Sequence, residues 1–438
     1  MTCARRRTAP CASPTFIWCI KTVENPAPSR HPEHNVADLI SVEQARTKII
    51  DAFKPLACET VALNDAHGRV LGETIAARRT QPPVAVSAMD GYAVRACDVA
   101  TTPISLSVIG EAPAGGAFDG LVGPGQAVRI FTGGPVPKGA DAIVLQEDTD
   151  MGPETVEIKE APPLGQHIRC AGIDFSEGDE LINAGTYLTA RHIGLAAAMN
   201  YPDLPVTRKP VIALLATGDE IVRPGDPIGP NQIVSSNGPA LSALIKAQGG
   251  EPKDLGIARD TEDSIRTLIK GAVGTDLLIT MGGVSVGDKD LVRKVLSEEG
   301  MEINFWRIAM KPGKPLMFGQ LGDVPVLGLP GNPVSSLVCA ILYLKPAIDH
   351  MLGRPKSAMQ MTRAILGADL AANNFREDFM RASLDLDVDG NACASPFNLQ
   401  DSSQMATLAR AGCLIHRPAN APPAKAGDAV NVIALSGS

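Results

Sequence analysis

The chain reads as a multidomain protein of mixed α+β and α/β class. It is expected to carry a central α/β domain on a mostly parallel sheet, an inserted β module and a C-terminal small β barrel. Three observations predict this. The 438 residues are too many for one compact core. Between residues 209 and 352, strand-like and helical stretches alternate at the spacing of βαβ units. Flanking that segment are short β-prone runs divided by glycine and proline.

Composition narrows the classes further. A formal charge of −8 argues against a nucleic-acid surface and offers no basic face to a membrane. The longest apolar stretches, such as Val334 to Leu344, fall short of the roughly 20 residues that span a bilayer. Nine cysteines, an odd number without any CxxC pair, fit a reduced, cytoplasmic compartment better than a disulfide framework or a zinc site. Of the seven histidines only His31 and His34 lie close, inside a proline-rich tail that reads as solvated.

Taken in order, residues 1–37 read as a disordered extension or the product of an upstream start codon. Arg5-Arg6-Arg7 precedes an apolar patch, Phe16 to Ile20, too short for a secretory signal, and Pro26, Pro28 and Pro32 break regular structure. From Ser41 a helix is expected, with Ala45, Ile49, Ile50 and Phe53 on one face. Residues 38–80 and 165–208 would form one discontinuous, elongated linker or dimerisation domain, interrupted at Thr80-Gln81-Pro82-Pro83 by the β module of 81–164. That module's strands are expected at Ile104 to Ile109, Ala127 to Thr132, Ala142 to Gln146 and Thr155 to Ile158, and its Asp90-Gly91 pair reads as a turn.

Residues 209–355 form the α/β domain. Strands are expected at Val211 to Thr217, Asp254 to Ala258, Asp276 to Met281 and Ile303 to Ala309, with helices near 239–248, 262–270, 291–299 and 333–351. Residues 356–438 return to strands, at Thr362 to Leu366, Asp378 to Leu386, Leu414 to His416 and Ala429 to Ala434. Gly427-Asp428 before the last of these is a common small-barrel pattern.

Ligands of such sheets bind beyond the carboxyl ends of the strands, and the polar motifs fall there. Thr217-Gly218-Asp219-Glu220 follows the first strand, Arg259-Asp260 the second and Gly282 to Asp290 the third. Gly282, Gly283 and Gly287, with Ser285 between them, leave backbone N–H groups free to face an anion. Lys311 and Lys314 bracket a Pro-Gly turn that aims two ammonium groups at one place. Pro330-Gly331-Asn332-Pro333 opens a helix whose Val334, Ser335 and Ser336 would offer donors at its anion-attracting end. So many carboxylates beside a lysine-rich anion site call for a hard cation between them and the ligand oxygens. Asp288 and Asp290, helped by Asp260, are the candidate Mg²⁺ ligands.

Met281 to Asp290, Lys311 to Pro315 and Leu329 to Ser335 closely resemble the molybdopterin molybdenumtransferase (MoeA-like) family of molybdenum cofactor biosynthesis. Ser87-Ala88-Met89-Asp90-Gly91-Tyr92-Ala93 and Arg129 to Pro137 resemble two further segments of that family, and the resemblance runs from about residue 38 to the end. It implies that residues 209–355 are a molybdopterin-binding-like domain. It also implies insertion of molybdate into adenylylated molybdopterin, releasing AMP and yielding molybdenum cofactor, with Mg²⁺ required. The family's catalytic positions match Asp90, Thr132, Asp174, Glu220, Asp260, Asp290, Lys311 and Lys314. Arg307 matches a basic position ahead of the lysine loop, often lysine, and Ser402 the serine of a C-terminal Gln-Gly-Ser-like segment.

The resemblance further implies a homodimer in which Asp90 and Thr132 approach the partner chain's α/β domain. It makes the molybdopterin adenylyltransferase and molybdoenzyme chaperones candidate partners. Two positions depart from the family pattern: Met281 stands where serine is usual, and Asp401 where glycine is usual. Two alternatives share the fold: a molybdopterin adenylyltransferase, which usually lacks the β module and barrel, and a non-catalytic scaffold.

Overall fold

The structure, a computed structural model, describes residues 39–283, 291–355 and 359–435. The chain separates after Leu39, and the elements below belong to the unit that starts at Ile40. The helix Val42–Asp51 opens it with a capping box: the Ser41 hydroxyl accepts from the Gln44 N–H, and the Gln44 side chain accepts from the Ser41 N–H. Its buried face, Val42, Ala45 and Ile49, packs on the core of the α/β sheet, as does Phe53.

The segments before and after the β module are tied by antiparallel pairing. Cys58–Ala62 pairs with Asp203–Thr207, and Ile75–Ala76 with Glu180–Ile182. Leu71, Ile75, Phe175, Ile182, Leu188, Met199, Leu204 and Val206 fill one core between them.

The β module is a five-stranded sheet in the order Ala142–Leu145, Gly91–Val94, Gln126–Ile130, Ile104–Ala112, Thr155–Ile158. One strand differs from expectation. Asp90-Gly91 does not make a turn but leads into Gly91–Val94, a fully buried strand paired on both sides. The glycine is there for close approach: a Cβ on Gly91 would sit 1.8 Å from the Val144 carbonyl oxygen.

The central sheet has six strands, in the order Glu251–Ala258, Val211–Thr217, Leu277–Met281, Val324–Leu329, Met317–Leu321, Glu302–Trp306. The first four are mutually parallel, and Met317–Leu321 runs antiparallel to both its neighbours. The hairpin Met317–Leu321/Val324–Leu329 was not among the expected strands. Side chains alternate between two apolar layers. Ile212, Leu214, Leu277, Ile279 and Met281 enter one, and Ala213, Leu215 and Leu278 the other. Leu241, Leu244 and Ile245 of the helix Asn237–Ala247 cover the first layer. The second is covered by the helices Glu262–Ile269 and Leu291–Glu298.

Residues 333–351 form one helical run, Pro333–Cys339, a π turn Ala340–Leu344, and Lys345–Met351. By length and composition alone this run could cross a membrane, contrary to the expectation from the sequence, but 67% of its apolar window is buried inside the protein. Val334, Val338, Leu342, Tyr343, Leu344, Ala347 and Ile348 belong to the core.

The C-terminal strands close on themselves. Glu377–Leu386, Ala392–Pro396, Thr362–Leu366, Ala429–Ala434 and Cys413–Arg417 follow one another, and the last pairs back onto the first, giving a five-stranded barrel. A short strand from the α/β domain, Met310–Lys311, adds to Glu377–Leu386 in parallel, so the lysine loop is built partly onto the barrel.

Candidate functional site

The parallel strands deliver Gly218, Asp260, Gly282 and Pro330 to one edge of the sheet. There they line a cleft of about 1190 Å³ with Thr217, Glu220, Gly283, Gly331, Asn332 and Pro333. Four glycines, Gly218, Gly282, Gly283 and Gly331, line it without side chains, and Gly282 has φ +94°. The Gly282 N–H donates to the carbonyl of Leu329, the last residue of the neighbouring strand, at 3.1 Å. Of the sequence-predicted residues, Glu220, Asp260, Gly282, Gly283, Pro330, Gly331 and Asn332 meet here. Ser285, Gly287, Asp288 and Asp290 lie outside the described residues.

Asp219 and Asp260, from the ends of adjacent strands, face each other. The Asp219 N–H donates to Asp260 Oδ2 and the Asp260 N–H to Asp219 Oδ1, both at 3.4 Å. Both side chains are exposed, and Asp219 Oδ1 also lies 3.8 Å from Arg259 Nη1. No group of three His, Cys, Asp or Glu among the described residues converges as a metal cage. One or two carboxylates beside phosphate oxygens are nevertheless the donor set that Mg²⁺ takes, and the exposed Asp260 carboxylate lining the cleft fits it.

The barrel closes the cleft on one side through Ser403 and Met405. Ser402 anchors this loop: Asn332 Nδ2 donates to the Ser402 hydroxyl at 2.8 Å, and the Val334 N–H to the Ser402 carbonyl at 3.1 Å. This corrects one expectation. The start of the helix Pro333–Cys339 is capped by the barrel rather than left open to an anion, and Ser335 and Ser336 are buried in the core. Gln400 and Asp401 are held by Arg381, only 1% exposed. Its Nε donates to Gln400 Oε1 at 3.2 Å and its Nη1 to the Asp401 carbonyl at 2.7 Å. Asp401 needs no glycine-like backbone, since its φ is not positive, and its carboxylate turns back on Ser403.

Lys311 and Lys314 do not line the cleft, although Pro315 does. Their turn is shaped by Gly313, at φ +108°, where a Cβ would sit 2.5 Å from Cys339 Sγ. The loop is closed at its base by Ile308 N–H donating to the Lys314 carbonyl and Arg307 N–H to Leu316, both at 3.0 Å. Arg307 takes the left-handed φ of +89°, a cost for a residue with a Cβ. Its guanidinium lies 4.1 Å from the Trp306 ring centroid. Lys311 Nζ lies 3.3 Å from Asp378 Oδ2 on the barrel.

Asp90, Thr132 and Asp174 stand apart from this cleft's lining. Asp90 Oδ1 accepts from the Thr132 N–H at 2.7 Å and from its hydroxyl at 2.8 Å. The backbone bond first, then the hydroxyl, holds the Asp90 carboxyl below the usual carboxylate range. Asp174 is exposed in the turn after Cys170, with its N–H on the Gln81 carbonyl.

Several lining residues were missed from the sequence. Ser235 and Ser236 precede the helix that Asn237 opens, a cluster that could have been read as an N-terminal cap signal. Asn237 Nδ2 donates to the Gly331 carbonyl at 2.7 Å, tying its helix to the Pro330-Gly331-Asn332 turn. Met281, 5% exposed, ends its strand between the cleft and a smaller cavity of about 340 Å³ that also reaches Arg223 and Asp254. At that point the wall is apolar, where the hydroxyl usual in the resembled family would be polar.

Family models match along the described chain. The MoeA N-terminal region (domain I and II) matches residues 40–200, a probable molybdopterin binding domain 213–350, and the MoeA C-terminal region (domain IV) 363–435. A molybdopterin molybdenumtransferase of Nostoc sp. is 39% identical over 341 residues, covering 76% of this chain and 78% of that one. Its namesake in Haemophilus influenzae is 33% identical over 398 residues, covering 90% and 98%. The crystal structure of the molybdopterin biosynthesis moea protein from Pyrococcus horikosii superposes with a TM-score of 0.81 at 31% identity, covering 92% of this chain and 100% of that one. With this agreement along its length, the chain belongs to the molybdopterin molybdenumtransferase family.

Proposed function

We propose that this protein inserts molybdenum from molybdate into adenylylated molybdopterin, releasing AMP and forming molybdenum cofactor, in the cytoplasm and with Mg²⁺. The observation that carries the reading is the cleft itself. Carboxylates Glu220 and Asp260 and the turns Gly282-Gly283 and Pro330-Gly331-Asn332 meet there at the carboxyl edge of a parallel sheet. Its volume of about 1190 Å³ exceeds the roughly 300–1,000 Å³ of ordinary ligand sites, leaving room for a pterin joined to a nucleotide.

The residues divide by chemistry. Ile221, Ile233, Val234, Met281 and Met405 give the cleft an apolar wall for a flat ring system. Asn332 and Ser403 offer polar groups, and the glycine turns backbone, to substrate oxygens. Asp260, with the sequence-predicted Asp288 and Asp290, would hold Mg²⁺. When bound, that ion supplies charge neutralisation to the phosphoanhydride and so favours departure of AMP. Lys311 and Lys314 attract the tetrahedral dianion, and Ser402 ties the barrel to the Pro330-Gly331-Asn332 turn. No covalent nucleophile is required; positioning and charge compensation supply the catalysis.

Asp90, Thr132 and Asp174 lie off the cleft of their own chain, which supports a homodimer in which a second copy brings them to it. The test is direct. Purified protein incubated with adenylylated molybdopterin, Mg²⁺ and molybdate is expected to release AMP and yield cofactor that activates a cofactor-free molybdoenzyme. EDTA should stop the release, and added Mg²⁺ should restore it. Absence of both AMP and active cofactor in the complete mixture would overturn the reading.

A further inference from the structure

The lysine loop has an acidic neighbour that the proposed chemistry does not use. Lys311 lies on the short strand Met310–Lys311, in register with Asp378 of the barrel strand Glu377–Leu386. The Lys311 ammonium and the Asp378 carboxylate are 3.3 Å apart, with side chains 46% and 13% exposed. Burial pushes the Asp378 carboxyl up overall, and the cations Lys311, Arg376 and Arg381 act against that rise. Glu377, beside it in sequence, is turned to His416 at 2.8 Å and takes no part in this pairing. Arg381 donates to Gln400 and Asp401. The loop's first lysine is thus drawn towards the barrel, and Lys311 does not line the cleft.

We infer that Asp378 is a positioning residue, a resident counter-ion that holds Lys311 against the barrel until an incoming oxyanion displaces it. This rests on the reading of the lysine loop as the seat of molybdate. A half-exposed ammonium cannot give its full field to a dianion while a carboxylate sits against it. Asp378 therefore lowers affinity for the oxyanion and fixes the direction from which Lys311 swings. The pairing also makes the barrel, through one strand, part of the oxyanion seat.

Titration of the full-length protein with molybdate, followed calorimetrically, tests this. Asp378→Asn is expected to bind molybdate about fivefold more tightly than the unmodified protein, the worth of a half-exposed ion pair. Asp378→Glu, which keeps the charge, should stay within about twofold. In a Lys311→Ala background, itself expected to bind molybdate more weakly, Asp378→Asn should have no further effect. A purely structural Asp378 would instead give weaker binding when neutralised. Weaker or unchanged binding by Asp378→Asn, or an equal gain without Lys311, overturns the inference while leaving the oxyanion seat intact. Unchanged binding by Lys311→Ala alone overturns both. Should Asp378→Asn fail to fold, Asp378→Ser removes the same charge and carries the same expectation.

Discussion

Asp90 shows how a family motif becomes geometry. Ser87-Ala88-Met89-Asp90 arrives at the edge of a buried strand, so the Asp90 side chain is presented beside the Thr132 turn rather than lost in a flexible loop. One carboxylate oxygen takes both Thr132 donors, and both bonds favour the ionised form. Since the folded-state pKa is lowered, these contacts stabilise the fold above the ordinary carboxylate pKa and are lost only as pH falls through the lowered value. Thr132→Val keeps the backbone N–H, the larger cause, and removes the hydroxyl. The Asp90 pKa is expected to rise part of the way back towards its ordinary value, as read by carboxyl ¹³C NMR against pH. An unchanged pKa would show that the hydroxyl contributes nothing to holding Asp90 ionised.

At the scale of elements, the strand Gly91–Val94 carries the link between this carboxylate and the rest of the β module. It is paired on both sides and has no exposed face. Gly91→Ala would drive a methyl into the Val144 carbonyl, so it should destabilise the module by about 2 kcal/mol or more. Calorimetric melting of the variant should show the earliest transition displaced downward. An unmoved transition would mean that the strand relaxes without strain. This strand also marks where sequence reading stops. Asp-Gly is a turn signal by local chemistry, and only tertiary pairing makes this instance a strand. The hairpin Met317–Leu321/Val324–Leu329 escaped because Gly319, Pro325 and Gly328 interrupt it with residues that rarely occupy strand interiors. By contrast, Val211–Thr217 and the closing strand Ala429–Ala434 were legible residue for residue, the first as a continuous apolar run. The site divides the same way. Glycine turns and strand-end acids are local and readable, whereas Asn237, Ser403 and the Asp378 partner of Lys311 reach their places only by packing between distant elements.

For the whole molecule, Asp90 and Thr132 of the β module do not line the α/β cleft of their own chain. Glu220 and Asp260 meet in the α/β domain's cleft, whereas Asp90 and Thr132 bond to each other on the β module. If a twofold dimer completes each cleft, every site takes Asp260 from one copy and Asp90 from the other. Asp90→Ala and Asp260→Ala homodimers should then both be inactive. A heterodimer of the two, isolated by two different affinity tags after co-expression, contains one site with both defects and one with neither. It should recover about half the AMP release of the unmodified dimer, per dimer, because one of two sites is whole. Were both residues to act within a single chain, each site of the heterodimer would carry one defect, and it would be as inactive as its parents. The difference between about half and none is read in one assay.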